Sequence, residues 1–171
     1  INTNLPKVAI ISTGGTIASR VDYRTGGVSA VLSAEDLYFS VPELSDISQI
    51  ECEILYSLHS ENISVNEWKG MAKKIFEKFQ SGVDGIILAH GTDTMGYTAA
   101  ALSFALHNIP IPVLLVGAQR SSDRPSSDSA TNLIGAVRLA SDGILTGVNI
   151  VMHEGTGDDK IVAHHGTKVR K

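Results

Sequence analysis

Two short segments set hydroxyl groups beside glycines in a way that suits attack on a carbonyl: Thr13-Gly14-Gly15-Thr16-Ile17-Ala18 and His90-Gly91-Thr92-Asp93-Thr94-Met95. A threonine hydroxyl is a poor nucleophile until a base takes its proton, and a buried lysine with a depressed pKa is a suitable base. Neither segment contains a lysine, so that base must come from elsewhere in the chain. Gly14 and Gly15 permit positive φ and close approach to a ligand, which leaves backbone N–H groups free for an anion or a developing oxyanion. The Thr16 hydroxyl would project into that nest. A plain turn is the competing reading of the same two glycines. Asp93 also has two readings: it can cap the helix that follows, or bind a substrate ammonium while Thr92 lies close to a reacting amide.

Several other chemistries do not fit the spacing. Neither the phosphate-cradling Lys-Ser/Thr loop nor a full Gly-x-Gly-x-x-Gly is present, and no Gly-x-Ser-x-Gly elbow offers a serine nucleophile. His153-Glu154 lacks a second histidine at helical distance, and His164 and His165 are adjacent, so the six histidines read as structural rather than metal-binding. Cys52 is the only cysteine, which rules out an internal disulfide and fits a reducing, cytoplasmic compartment; it reads as a small core residue. Lys168, Arg170 and Lys171 on their own read as a solvated charged end.

The elements that must carry these residues are legible from periodicity. Residues 7–12 (KVAIIS), 50–58 (IECEILYSL), 84–89 (DGIILA), 112–116 (PVLLV) and 148–152 (VNIVM) are short and rich in Val, Ile and Leu. Most lack polar alternation, as expected of strands buried on both faces of a parallel sheet. Trp68, Met71, Ala72, Ile75, Phe76 and Phe79 recur at helical spacing, with Lys69, Lys73, Lys74, Glu77 and Lys78 on the opposite side. Met95, Ala99, Leu102 and Leu106 form a second stripe, and Leu133, Ile134, Val137 and Ala140 a third, capped by Asp128. Alternating strands and helices predict a doubly wound α/β fold, a mostly parallel sheet sandwiched by helices in the three-layer Rossmann or flavodoxin-like manner. Such sheets bind ligands beyond the carboxyl ends of their strands. Four post-strand segments then converge on one edge: 13–18, His59-Ser60-Glu61-Asn62, 90–95 and Gly117-Ala118-Gln119-Arg120.

Bulk properties bound the rest. With 43% hydrophobic and 19% charged residues, the 171-residue chain reads as one packed domain. A net charge of −4 argues against direct binding of nucleic acid, and no apolar stretch approaches the ~20 residues that span a bilayer. The chain begins at Ile1 and stops at Lys171 without a closing turn signal, and both ends read as cut.

The two glycine-hydroxyl segments, each after a buried strand and in this order, resemble the two signatures of asparaginase-type amidohydrolases. The resemblance runs from about Lys7 to Lys171 and implies that residues 1–171 form the larger, N-terminal catalytic domain, with a smaller C-terminal domain and any N-terminal β domain outside this segment. It implies that Thr16 is the nucleophile, with Gly15 beside it, and that Tyr23, in Tyr23-Arg24-Thr25-Gly26, activates it from a mobile loop. Ser60 and Glu61 would hold the α-carboxylate and α-amino ends of the substrate, where family members acting mainly on asparagine often carry glutamine instead of Glu61. Thr92, Asp93 and a later lysine would form a second catalytic group. Lys171 is the choice for that lysine because it ends a Val-Arg-Lys run, and Lys168 is the runner-up.

Within that family, residues 22–28, 119–128 and 166–171 look most like the D subunits of archaeal glutamyl-tRNA(Gln) amidotransferases. That resemblance implies release of ammonia from glutamine or asparagine, a homodimer, and a larger partner subunit that binds tRNA. It implies no cofactor in this chain, with ATP and Mg confined to the partner. A free cytoplasmic asparaginase or glutaminase is the main alternative, and a non-catalytic amino-acid-binding module the alternative of another class.

Overall fold

The computed structural model describes residues 4–14, 19–21, 28–30, 38, 41–119, 128–155 and 160–170. Its main sheet comprises β1 (Lys7–Ser12), β4 (Gln49–Ile54), β5 (Gly85–Ala89), β6 (Pro112–Val116), β7 (Gly147–His153) and β8 (Ile161–His165). The spatial order is β4-β1-β5-β6-β7-β8, parallel throughout except for β8, which runs antiparallel to β7. A separate antiparallel pair joins β2 (Ser19–Val21) to β3 (Val28–Ala30). Among the described residues, three helices follow the parallel strands: α1 (Val65–Gln80), α2 (Met95–Ala105) and α3 (Ser129–Ser141).

Successive residues of each strand serve opposite faces, which is why these strands read as continuous apolar runs. Val8, Ile10, Ile87, Leu114 and Val116 pack with Leu133, Ala136, Val137 and Ala140 of α3. Ala9, Ile11, Ile86, Leu88, Val113 and Leu115 pack on the other side with Met71 and Ile75 of α1 and with Met95, Ala99 and Leu102 of α2. Burial of each large side chain in these layers contributes about 1.5–3 kcal/mol. The expected three-layer α/β fold is therefore present. After β1 the chain adds β4 on one side and then crosses, through α1, to β5 on the other. The β1/β5 carboxyl ends thus form the switch point at which ligands bind in flavodoxin-like sheets.

Some local expectations change. The second strand ends at Ile54 rather than continuing to Leu58. Leu55 and Tyr56 both donate backbone N–H groups to Ser12 O, and Leu58 to Thr13 O, so residues 55–58 stay beside β1 without keeping a ladder. β4 is also an edge strand. Its Glu51 and Glu53 pair with Lys74 and Lys78 of α1 at 2.8–3.2 Å, so those two lysines bridge helix to sheet. Phe76 falls outside the buried stripe at 49% exposure, with its ring 6.2 Å from that of Phe79. Cys52 is only half-buried, packed at the margin of the α3-side core. The periodicity did not anticipate β8 or the β2–β3 pair.

Candidate active site

The loop after β1 is anchored before it reaches the hydroxyl-rich residues. Thr13 is buried, and both its N–H and its Oγ1 donate to Ala89 O, at 3.0 and 2.9 Å. The first signature is thereby tied to the end of β5. Gly14 has φ +120°, and a Cβ there would lie 2.0 Å from Leu58 O. Only glycine satisfies both the conformation and the contact.

The loop after β4 turns through a short 3-10 segment, Ser60–Asn62, and meets the loop after β5. Ser60 is 4% exposed, and Thr94 Oγ1 donates to its carbonyl oxygen at 2.7 Å. A Cβ on Gly91 would lie 2.9 Å from Ser60 Cβ and 3.0 Å from Ser60 Oγ, so the glycine lets the two loops touch. Glu61 and Asp93 are exposed at the same edge. The α2 N-cap position is occupied by Thr94 rather than Asp93, and Thr94 makes no side-chain cap bond because its hydroxyl serves Ser60.

A short polar chain lies beneath this junction. His90 is 1% exposed; its Nδ1 is 2.6 Å from Gly91 O and its Nε2 is 2.8 Å from Thr98 Oγ1, which also accepts from Trp68 Nε1 at 2.9 Å. A carbonyl can only accept, so the proton resides on Nδ1 and Nε2 accepts from Thr98. Burial pushes the imidazole below its ordinary range, with the Gly91 carbonyl pulling partly the other way. His90 is therefore a neutral brace for the loop that carries Thr92.

Thr92 lines a pocket of about 180 Å³ together with Met95, Gly96, Gln119, His153 and Arg170 among others. The last described segment reaches this pocket along α2. Gly166 packs against Ala99 O, and Val169 O lies 3.1 Å from where a Cβ on Gly96 would stand. Lys168 is exposed, in a turn whose N–H donates to His165 O. Gly15, Thr16, Tyr23 and Lys171 lie outside the described residues. Of the expected site residues, the structure brings Ser60, Glu61, Thr92 and Asp93 to one edge, and Arg170 lines the same pocket as Thr92.

Asp128 corrects another expectation. It occupies the α3 N-cap position and is fully buried, but makes no side-chain cap bond. Its Oδ2 accepts from the Gln119 N–H at 3.0 Å and from Asn132 Nδ2 at 2.9 Å. Asn132 and Thr98 escaped the sequence reading. The readable signal for Asn132 was a polar pair four residues apart on an otherwise apolar helix face.

Residues 7–171 match the family model described as Asparaginase, N-terminal. The D subunit of glutamyl-tRNA(Gln) amidotransferase from Pyrococcus abyssi is 53% identical over 167 residues, which is 98% of this chain and 38% of that protein. The corresponding protein of Thermococcus kodakarensis is 55% identical with the same coverage. Among solved structures, the thermostable L-asparaginase from Thermococcus kodakarensis aligns with TM-score 0.71 and 37% identity, covering 84% of this chain and 43% of that one. The chain thus spans about two fifths of the length of these relatives. Among the described residues, no helix is long and apolar enough to cross a membrane.

Proposed function

The chain belongs to the asparaginase N-terminal family, and on that premise we propose that it is the catalytic part of an amidohydrolase releasing ammonia from glutamine or asparagine. In this reading Thr16 Oγ attacks the carboxamide carbon while Tyr23 helps remove its proton. Ammonia leaves carrying a proton, and water hydrolyses the resulting Thr16 ester to glutamate or aspartate. The backbone around Gly15 stabilises the oxyanion, Ser60 and Glu61 hold the carboxylate and amino ends of the substrate, and Asp93 pairs with its ammonium. Thr92, Asp93 and Lys171 polarise the reacting threonine or water, with Lys168 as the alternative lysine.

The observation that carries this reading is the junction of Ser60 with the 91–94 loop at the β1/β5 switch point. It joins substrate-binding and catalytic candidates from two distant segments at the edge where such sheets bind ligands. Val169 and Arg170 line the Thr92 pocket whereas Lys168 is exposed and does not, which argues against Lys168.

The proposal extends to context. The identity to glutamyl-tRNA(Gln) amidotransferase D subunits supports assignment to a tRNA-dependent amidotransferase. In this reading the chain supplies the ammonia, working in the cytoplasm as a homodimer with a larger subunit that binds tRNA, ATP and Mg. The likeness to an L-asparaginase structure favours a second reading, a free asparaginase or glutaminase. Ammonia release by the full-length protein, with and without a partner subunit and glutamylated tRNA, separates the two. Stimulation by both is expected, and full activity alone with no response moves the assignment to the free enzyme. Mass spectrometry with a slowly hydrolysed amide analogue should find acyl label on Thr16, and label on Thr92 alone would overturn the assigned roles.

A further inference from the structure

The turn that follows β6 is gripped at both ends by α3. Asn132 Nδ2 donates to Gly117 O at 2.9 Å and to Asp128 Oδ2 at 2.9 Å, and the Gln119 N–H donates to that same oxygen at 3.0 Å. Asp128 and Asn132 are both 0% exposed. Removing a carboxylate from water is costly even when it is bonded. Asn132 Oδ1, moreover, is buried with no hydrogen-bond partner among the described residues. The helix end could be closed at lower cost by apolar side chains, and this polar pair also makes no cap for α3. Among the described residues, what the pair holds is the turn.

That turn is the wall behind Thr92. A Cβ on Gly117 would stand 2.9 Å from Thr92 Cγ2 and 2.7 Å from His90 O, so the Gly117 backbone and the Thr92 methyl are in close contact. A β-branched side chain has few χ1 choices, and confining the methyl confines the direction of the hydroxyl. Gln119, two residues on, lines the same pocket as Thr92 and His153, and His153 Nδ1 lies 3.4 Å from Asp128 Oδ2.

We infer that Asp128 and Asn132 are positioning residues for the amide-releasing reaction, acting through the Gly117–Gln119 turn to orient Thr92 and shape its pocket. The inference rests on the placement of Thr92 in that reaction. Two variants of the full-length protein test it. Asn132→Leu keeps the branching at Cγ while removing both donations, and Asp128→Asn keeps the shape while removing the charge. Because a catalytic group displaced by a fraction of an ångström loses rate steeply, kcat per folded molecule should fall about tenfold or more in Asn132→Leu and less in Asp128→Asn. KM should change by less than about threefold, since ground-state contacts at Ser60 and Glu61 are untouched. Asp142→Ala, which removes a turn bond at the opposite end of α3, is the control: it should lower Tm without changing kcat.

If both clamp variants lose Tm but keep the kcat of the parent, the pair is purely structural and the inference falls. Thr92→Val separates the two levels of the argument. If it is inactive while the clamp variants stay fully active, only the positioning role is lost. If it is fully active, the role of Thr92 fails and this inference fails with it.

Discussion

Thr94 Oγ1 donates to the Ser60 carbonyl oxygen across 2.7 Å, tying together two loops whose residues stand 34 positions apart. The hydroxyl at an N-cap position ordinarily satisfies its own helix, a role worth about 1 kcal/mol. Here it serves the neighbouring loop instead. Thr94→Val keeps the shape and removes the donor, leaving the Ser60 carbonyl with the Ile63 N–H alone, so stability should fall by about 0.5–1.5 kcal/mol. Because Ser60 and Glu61 then lose their tether, KM for the amide should rise several-fold with a smaller change in kcat. An unchanged KM would mean that the 60–62 turn is held without Thr94.

Two glycines with positive φ provide a matched comparison. Gly82, at φ +85°, has nothing within 4 Å of a built Cβ, whereas Gly14, at φ +120°, would drive a Cβ to 2.0 Å from a backbone oxygen. Gly82→Ala should lose only the roughly 1–3 kcal/mol of backbone strain. Gly14→Ala should lose clearly more, since Leu58 O belongs to a backbone that cannot swing aside. Denaturant unfolding of the two variants measures the difference, and equal losses would show that the 13–14 loop is not tied to residue 58 in solution.

Asp93→Asn should weaken substrate binding by about 1.5–3 kcal/mol, the worth of a charge-assisted hydrogen bond. Asp93 is exposed and Thr94 occupies the N-cap position, so thermal stability should change little. Calorimetric titration and thermal unfolding of the same variant decide the matter. Unchanged binding with a lowered Tm would return Asp93 to the role of a helix-terminal charge.

His90 makes stability depend on pH in a defined direction. Its folded pKa is lowered, first by burial, from an ordinary value of 6.5. The unfolded chain therefore takes up a proton near that value while the folded chain resists it, so the contribution is full above 6.5 and is lost as pH falls towards the folded pKa. His90→Gln cannot titrate and should show a flatter dependence than the parent below that value. Parallel curves for parent and variant between pH 7 and 5 would mean that His90 is protonated as readily in the fold as outside it.

What could be read directly was whatever depends on local composition. Residues 7–12 and 112–116 coincide with β1 and β6 because a strand covered on both faces must be apolar throughout, wherever its neighbours lie. The α2 stripe of Met95, Ala99, Leu102 and Leu106 is buried as its period demands. The clustering of 90–94, Ser60 and 117–119 on one sheet edge followed from their places after parallel strands. Features that depend on partners were not legible. Whether β4 is central or an edge, and so whether Glu51 and Glu53 meet water or Lys74 and Lys78, depends on which strands flank it. IVAHH shows little strand signal alone and becomes β8 only because β7 offers it an edge.

The same division runs through the site. The sequence by itself determined which groups are available, two glycine-hydroxyl loops and the acids beside them, because residue type decides what a side chain can donate, accept or attack. Only the tertiary structure decided whom they serve: Thr13 and Thr94 direct their hydroxyls to Ala89 O and Ser60 O, and Asp128 accepts from Gln119 instead of capping α3. A hydroxyl or carboxylate bonds to whichever group the fold brings within about 3 Å, and that distance is set by the packing of strands and helices far apart in the chain.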